Sequence, residues 1–199
     1  MKKIRLGIYG GTFNPPHIGH IQAAKAFVDN MKLDRLLVIP TYSPPHKEYT
    51  SRVTCDDRLQ MCRIAFSKID KADVSDIEIA RGGTSYTYLT LPDLQNDDTE
   101  LYFLCGTDMI LSMDRWKNPD IIFKLANICF IRRENDEQNT QMINHKCLEY
   151  KEKFNAKIYP INAEIIDISS SAIRNGEADA EKYLTDDIAE YISRKGLYK

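Results

Sequence analysis

This chain of 199 residues has no excess of either charge, with 27 Lys and Arg against 29 Asp and Glu and a formal net charge of −2. Proteins that bind nucleic acid generally are usually basic, so no nucleic-acid partner is expected; a small cationic pocket for a nucleotide remains compatible. No apolar run approaches the roughly 20 residues of a membrane span, so no membrane partner is expected either. The opening MKKIRLGIYGG enters a strand pattern at once, without the apolar region of a secretory signal. The five cysteines, Cys55, Cys62, Cys105, Cys129 and Cys147, are odd in number and form no CxxC pair, which argues against a disulfide framework. Cys105 and Cys129 lie in apolar runs, as small buried hydrophobes do. These absences describe a soluble, cytoplasmic chain with reduced thiols. No linker, repeat or low-complexity block divides it, so residues 1–199 read as one domain. Three common motifs are also missing: the phosphate loop GxxxxGK[ST], the dinucleotide fingerprint GxGxxG and the zinc motif HExxH.

What is present is an alternation of apolar runs and helical patterns. Strands are expected at Ile4–Tyr9, Arg35–Ile39, Val74–Ile79, Glu100–Cys105, Ile128–Ile131 and Lys157–Ile161. Runs such as LLVI and LYFLC suit a parallel sheet covered on both faces. Helices are expected at Ile21–Met31, Thr54–Ile69, Asp120–Ala126, Gln138–Phe154 and Thr185–Lys195. Thr54 and Thr185 read as N-caps and Gly196 as a stop. The stretch Glu134–Gln141 reads as an exposed loop or helix start. The order implies an α/β fold: a doubly wound, mostly parallel sheet with helices on both faces and right-handed crossovers. Ligands in such sheets lie beyond the carboxyl ends of the strands.

At that place, after the first strand, residues 10–20 read GGTFNPPHIGH. Gly10 and Gly11 let backbone approach a ligand closely. His17 and His20 are three apart, on one face of a helix start. A helix N-terminus carries unpaired N–H groups and partial positive charge, which suits phosphate, and Gly19 keeps the face between the imidazoles open. Near the other end, residues 168–174 read ISSSAIR, a second helix start with hydroxyls and Arg174 one turn on; an arginine can hold a pyrophosphate bidentately. Pro44 and Pro45 stiffen a loop that carries His46 and Lys47, with Arg52 a weaker candidate beyond it. GGTSYTY at 82–88 exposes N–H groups able to hold a carboxylate, and Pro92 blurs the helix that follows. In GTD at 106–108, Gly106 permits close approach and Asp108 can accept ribose hydroxyls. Trp116, the only tryptophan, lies between Arg115 and Lys117, and Arg132 and Arg133 end a strand.

GGTFNPPHIGH resembles the HxGH motif of the nucleotidyltransferase superfamily, in the form found in bacterial nicotinate-mononucleotide adenylyltransferases. ISSSAIR is similar to that superfamily's closing ISSTxIR motif, with Ser171 where threonine is commoner. The resemblance spans Gly10 to Arg174, and the YISRKGLY ending has the family's look. It implies transfer of the adenylyl group of ATP to nicotinate mononucleotide, with Mg²⁺ carried by ATP and no metal ligands from the chain. His17, His20, Lys47 and Arg174 are then catalytic. Gly10, Gly11, Thr12, Phe13, Asn14, Gly19, Gly106, Asp108, Ile168, Ser169, Ser170 and Ser171 bind ATP. His46, Thr84, Ser85, Tyr86, Thr87, Trp116 and Arg133 bind the nicotinate nucleotide, with backbone around Ser85–Thr87 and a stacked Trp116 at the ring. A preference for the amide, nicotinamide mononucleotide, and a non-catalytic nucleotide sensor are the alternatives. Phosphopantetheine adenylyltransferase shares the fold but favours TxGH, and a class I synthetase needs far more chain. The oligomeric state, homodimer included, is left open.

Overall fold

The computed structural model describes residues 2–45, 53–132, 137–163, 166 and 168–198. Six strands form one all-parallel sheet: β1 Ile4–Gly11, β2 Arg35–Pro40, β3 Ala72–Val74, β4 Thr99–Cys105, β5 Ala126–Arg132 and β6 Ile158–Asn162, in the order β3-β2-β1-β4-β5-β6. The helices are α1 Ile18–Met31, α2 Cys55–Phe66, α3 Ile77–Arg81, α4 Thr87–Leu94, α5 Thr107–Ile110, α6 Pro119–Leu125, α7 Glu137–Phe154, α8 Ser170–Arg174, α9 Ala180–Tyr183 and α10 Asp186–Lys195. A 3₁₀ turn, Met113–Arg115, lies between α5 and α6. No helix among the described residues is long and apolar enough to cross a membrane.

Alternate residues of each strand enter opposite cores, as the two-residue period of a strand requires. On β4, Tyr102 and Leu104 face one core with Phe27, Met61, Phe66 and Ile188, whereas Leu101, Phe103 and Cys105 face the other with Leu91, Phe123 and Tyr150. Helices α1, α2 and α10 therefore cover one face, and α4, α6 and α7 the other. Gly7 sits on β1 where a Cβ would come within 2.4 Å of Leu33 Cδ1 and 3.0 Å of Phe27 Cε1. Its bare Cα lets α1 and its C-terminal turn lie flat on the sheet. The strand order reverses between β1 and β4, so the loops after those strands open at the switch point of the sheet.

One expected strand is corrected. The apolar alternation predicts a continuous strand over Val74–Ile79, but β3 ends at Val74 and Ile77–Arg81 is helical. The Ser75 hydroxyl accepts from the Ile77 N–H at 3.3 Å, and the Asp76 carbonyl accepts from the Ala80 N–H at 2.7 Å. These local bonds turn the chain out of the sheet at Ser-Asp, a pair that competes well with a strand ladder. The other strands and helices fall within a few residues of their expected limits. Thr54 caps α2 as expected: its Oγ1 accepts from the Asp57 N–H at 3.1 Å, and Asp57 Oδ2 accepts from the Thr54 N–H at 3.2 Å. Pro92 lies inside α4, where it costs the bond to the carbonyl one turn back, and the helix ends two residues later.

Candidate active site

The loop from β1 into α1 places the paired histidines at the switch point. His17 is the N-cap of α1, with extended backbone, and α1 has no acidic residue in its first turn. Nothing there competes with an anion for the helix N-terminus. The two imidazoles lie 3.7 Å apart between centroids, tilted by 32°. His20 Nδ1 accepts from the His17 backbone N–H at 3.2 Å, so a neutral His20 carries its proton on Nε2. The His20 ring stands edge-on to Phe13 at 5.1 Å and near Tyr9 at 6.3 Å. Phe13 is buried, adopts a φ of +48°, and packs in turn on Phe66.

This packing sets the charge state of the pair. Burial pushes the His17 imidazole down from 6.5 to about 4. Burial, and then repulsion from His17, pushes His20 well below the ordinary value. Both are neutral at pH 7 and act as hydrogen-bonding groups. The buried Nδ1 of His17 has no hydrogen-bond partner among the described residues; such an atom is costly unless a ligand oxygen or water meets it.

The second motif closes on the first. Ser170 Oγ donates to the Pro15 carbonyl at 2.8 Å, and Arg174 Nη1 donates to the Asn14 carbonyl at 2.6 Å. Arg174 Nη2 reaches Ser171 Oγ at 3.0 Å. A guanidinium has five N–H donors, so one engaged with the loop at Asn14 and one with Ser171 of the same helix leave three for an anion. Ser169 caps α8, its Oγ accepting from the Ala172 N–H at 3.1 Å. Ile168 packs against the same spot: a Cβ on Gly19 would lie 3.1 Å from His17 Nδ1 and 3.3 Å from Ile168 Cγ2.

Cytidylyltransferase-like proteins are the family whose model matches residues 8–176, a span that holds both motifs. The chain belongs to this family. It is 36% identical to a protein of Clostridium novyi named "Probable nicotinate-nucleotide adenylyltransferase", over 97% of this chain and 98% of that one. It is 34% identical to one of the same name from Desulfatibacillum aliphaticivorans, over 98% and 100%. Among solved structures, Plasmodium falciparum nicotinic acid mononucleotide adenylyltransferase complexed with NaAD shares the fold at a TM-score of 0.71 and 22% identity, over 100% of this chain and 98% of that one. The same enzyme complexed with APC gives 0.70 and 21%, over 98% and 96%.

Within this cytidylyltransferase-like frame, the remaining candidates form a second group around the ends of β2 and β4. Gly82 and Gly83 have φ of +71° and +69° and turn the chain from α3 toward Thr84. Ser85 is buried and docks the turn: its Oγ accepts from the Tyr42 N–H at 2.9 Å, and its N–H donates to the Ser43 carbonyl at 2.8 Å. Thr84 is exposed, and Tyr86 and Thr87 are half-buried at the start of α4. Lys117 Nζ lies 4.8 Å from the Tyr86 ring centroid, which joins this loop to the segment bearing Trp116. Trp116 is half-buried and edge-on to Phe103 at 6.2 Å, and Phe103 also faces the position of a Gly10 Cβ at 3.9 Å. Gly106 is the N-cap of α5, Thr107 Oγ1 donates to the Ile131 carbonyl at 3.1 Å, and Asp108 is exposed beside it. Thr12 and Gly11 complete the first loop; a Cβ on Gly11 would meet the Phe13 ring at 2.9 Å. His46, Lys47, Arg52 and Arg133 lie outside the described residues.

Arg58, absent from the sequence-based candidates, ties the two groups together. It is fully buried. Its Nη1 donates to the Thr12 carbonyl at 2.9 Å, and its Nη2 donates to the Thr41 and Tyr42 carbonyls at 2.5 and 3.2 Å. The signal was an arginine on the apolar stripe of α2, in helical register with Cys62 and Ala65, which are buried with it.

Gly19→Ala tests the packing between His17 and Ile168. The added methyl has to push the imidazole by a few tenths of an ångström. Turnover is expected to fall about tenfold, since small misplacements of a side chain that positions substrate are costly, with an unfolding midpoint close to that of the unmodified protein. Steady-state kinetics and thermal unfolding check this; a large loss of stability with unchanged turnover contradicts it.

Proposed function

We propose that this chain transfers the adenylyl group of ATP to nicotinate mononucleotide, giving nicotinate adenine dinucleotide and pyrophosphate. The observation that carries this reading is the pair of neutral imidazoles at the N-terminus of α1, closed over by Arg174 from a segment 160 residues away from Asn14. That arrangement binds phosphate and supplies no nucleophile, and none is needed. The mononucleotide phosphate oxygen attacks the α-phosphorus of ATP, the bond from that phosphorus to the bridging oxygen breaks, and pyrophosphate leaves with the electron pair. Catalysis is then positioning and stabilisation of charge.

His17 donates to the α-phosphate as charge gathers on its oxygens. His20 and the free donors of Arg174 hold the departing pyrophosphate, and Lys47 belongs with them. The Gly10–Asn14 loop, Gly19, Gly106, Asp108 and residues 168–171 receive ATP. Thr84–Thr87, Trp116, His46 and Arg133 receive the nicotinate nucleotide. Nucleotidyltransferases of this type use a divalent metal with ATP. Here Mg²⁺ enters as part of the substrate, Mg-ATP. Among the described residues no three His, Cys, Asp or Glu side chains gather to cage an ion, and Mg²⁺ typically keeps several waters and binds through substrate phosphates. Two features support the choice of acceptor: the names of the curated relatives and the NaAD held by the Plasmodium enzyme.

Pyrophosphate release with Mg-ATP, measured in parallel with nicotinate and nicotinamide mononucleotides, tests the reading. Strong turnover is expected with the acid. Turnover with the amide alone moves the chain to the sister activity, and ATP binding without turnover with either makes it a sensor.

A further inference from the structure

Three groups distant in sequence converge on Asn14 and Pro15. Arg174 and Ser170 hold the two carbonyls, as described, and the Tyr198 hydroxyl donates to Asn14 Oδ1. Asn14 is only 5% exposed and follows Phe13, whose φ of +48° lies where a bulky residue is strained. Such a backbone persists only where its surroundings over-determine it. Asn14 also stands three residues before His17, in the loop that leads into the N-cap of α1.

Tyr198 arrives on a fixed support. Helix α10 buries Ile188 and Tyr191, and the Tyr191 hydroxyl donates to Asp57 Oδ1 of α2 at 2.9 Å. Burial pushes the Asp57 carboxyl up, but the bonds from Thr54 and Tyr191 outweigh it and hold that carboxyl below its ordinary range, so the support stays charged and engaged at neutral pH. Gly196, with φ +62°, ends α10, and the Leu197 N–H returns to the Ile192 carbonyl at 3.0 Å. Tyr198 lies beyond residues 8–176, the span of the family model.

We propose that Tyr198 is a positioning residue for adenylyl transfer: by fixing the orientation of the Asn14 amide, it holds the Asn14–His17 segment with His17 directed at the α-phosphate. With Oδ1 engaged by the phenol, the amide presents its NH₂ on the opposite side; without the phenol it can turn over. The kinetic readout rests on the adenylyl-transfer reading.

The test is a double-mutant cycle of Tyr198→Phe and Asn14→Ala, comparing four proteins by turnover, unfolding midpoint and equilibrium affinity for a non-hydrolysable ATP analogue. Tyr198→Phe keeps the ring and removes one donor. It is expected to lower kcat about five- to tenfold, the size of one hydrogen bond, with a midpoint lowered by a few degrees at most and an unchanged KM for nicotinate mononucleotide. The double variant is expected to be no slower than Asn14→Ala alone. Wild-type turnover in Tyr198→Phe, or losses that multiply in the double variant, overturns the proposal. If the unmodified protein releases no pyrophosphate, the adenylyl-transfer reading fails, and the analogue affinities decide: coupled losses support the Tyr198–Asn14 link and multiplying ones overturn it. If it binds no analogue, both fall.

Discussion

His17→Ala is expected to lower kcat by about 10²–10³, the cost of removing one preorganised donor to developing charge, with the KM for ATP changed by less than about threefold. The split follows from where the imidazole sits. In the proposed reaction the helix N-terminus, His20 and Arg174 still hold the triphosphate in the ground state, so binding is expected to survive. Only the contact that strengthens as charge moves onto the α-phosphate oxygens is lost. Stability should change little, by about 1 kcal/mol or less, because the truncation leaves a small cavity but also removes a buried Nδ1 that has no partner among the described residues. Equal losses of stability and activity would instead mark His17 as a structural cap.

The same substitution has a signature in pH. Burial holds the folded His17 imidazole at about 4, against 6.5 for an exposed one. As pH falls from 6.5 toward 4, the unfolded chain takes up a proton that the folded chain refuses, so the folded state loses stability across that window. His20 adds a loss of the same sign. In His17→Ala the loss over this window shrinks, partly because that imidazole is gone and partly because its repulsion of a protonated His20 is gone. Unfolding midpoints of both proteins between pH 4 and 7 show whether the slope flattens. An unchanged slope would mean that His17 is not held neutral in the folded state.

The fold was legible because the strong signals were periodic. Apolar runs of β1, β2, β4 and β5 carry alternating residues into two cores, and a sheet covered on both faces leaves little freedom in reading them. Val74–Ile79 misled because its alternation ignores what Ser75 and Asp76 do to their own backbone. The site was legible in proportion to how far its chemistry resides in one segment. Gly10–His20 states strand, turn, cap and imidazoles in a single run, and ISSSAIR states a cap and a guanidinium. What the sequence hides is attachment across long separations. Nothing in GGTSYTY says that the Ser85 hydroxyl serves to dock its turn to Tyr42. Nothing in YISRKGLY says that Tyr198 meets Asn14. Arg58 was discoverable in principle, since an arginine in register with Cys62 on the buried face of α2 demands acceptors, but which acceptors only the fold reveals.

Arg58→Met is expected to destabilise the protein by about 3–5 kcal/mol, since hydrogen bonds from a charged donor are worth about 1.5–3 kcal/mol each and add incompletely, lowering the midpoint by about 10 °C at this chain length. The side chain is fully buried, so methionine can fill much of its volume, and the cost arises mainly from hydrogen bonding. Three partly buried backbone carbonyls, of Thr12, Thr41 and Tyr42, lose their guanidinium donors, and the Tyr42 carbonyl keeps the weak Cys55 Sγ donor at 3.6 Å. The functional consequence is specific, because these carbonyls belong to the loops after β1 and β2. The first bears His17, and the second carries the Ser43 carbonyl and Tyr42 N–H on which Ser85 docks. Loosening them should raise KM for both ATP and the mononucleotide while the His17 imidazole itself stays in place as a donor, the reverse of the His17→Ala pattern. Arg58→Lys keeps the charge but loses the planar fork that reaches carbonyls on two loops at once, and should fall between. A protein with Arg58→Met that retains its midpoint and both KM values would show that the two loops hold their places without the guanidinium.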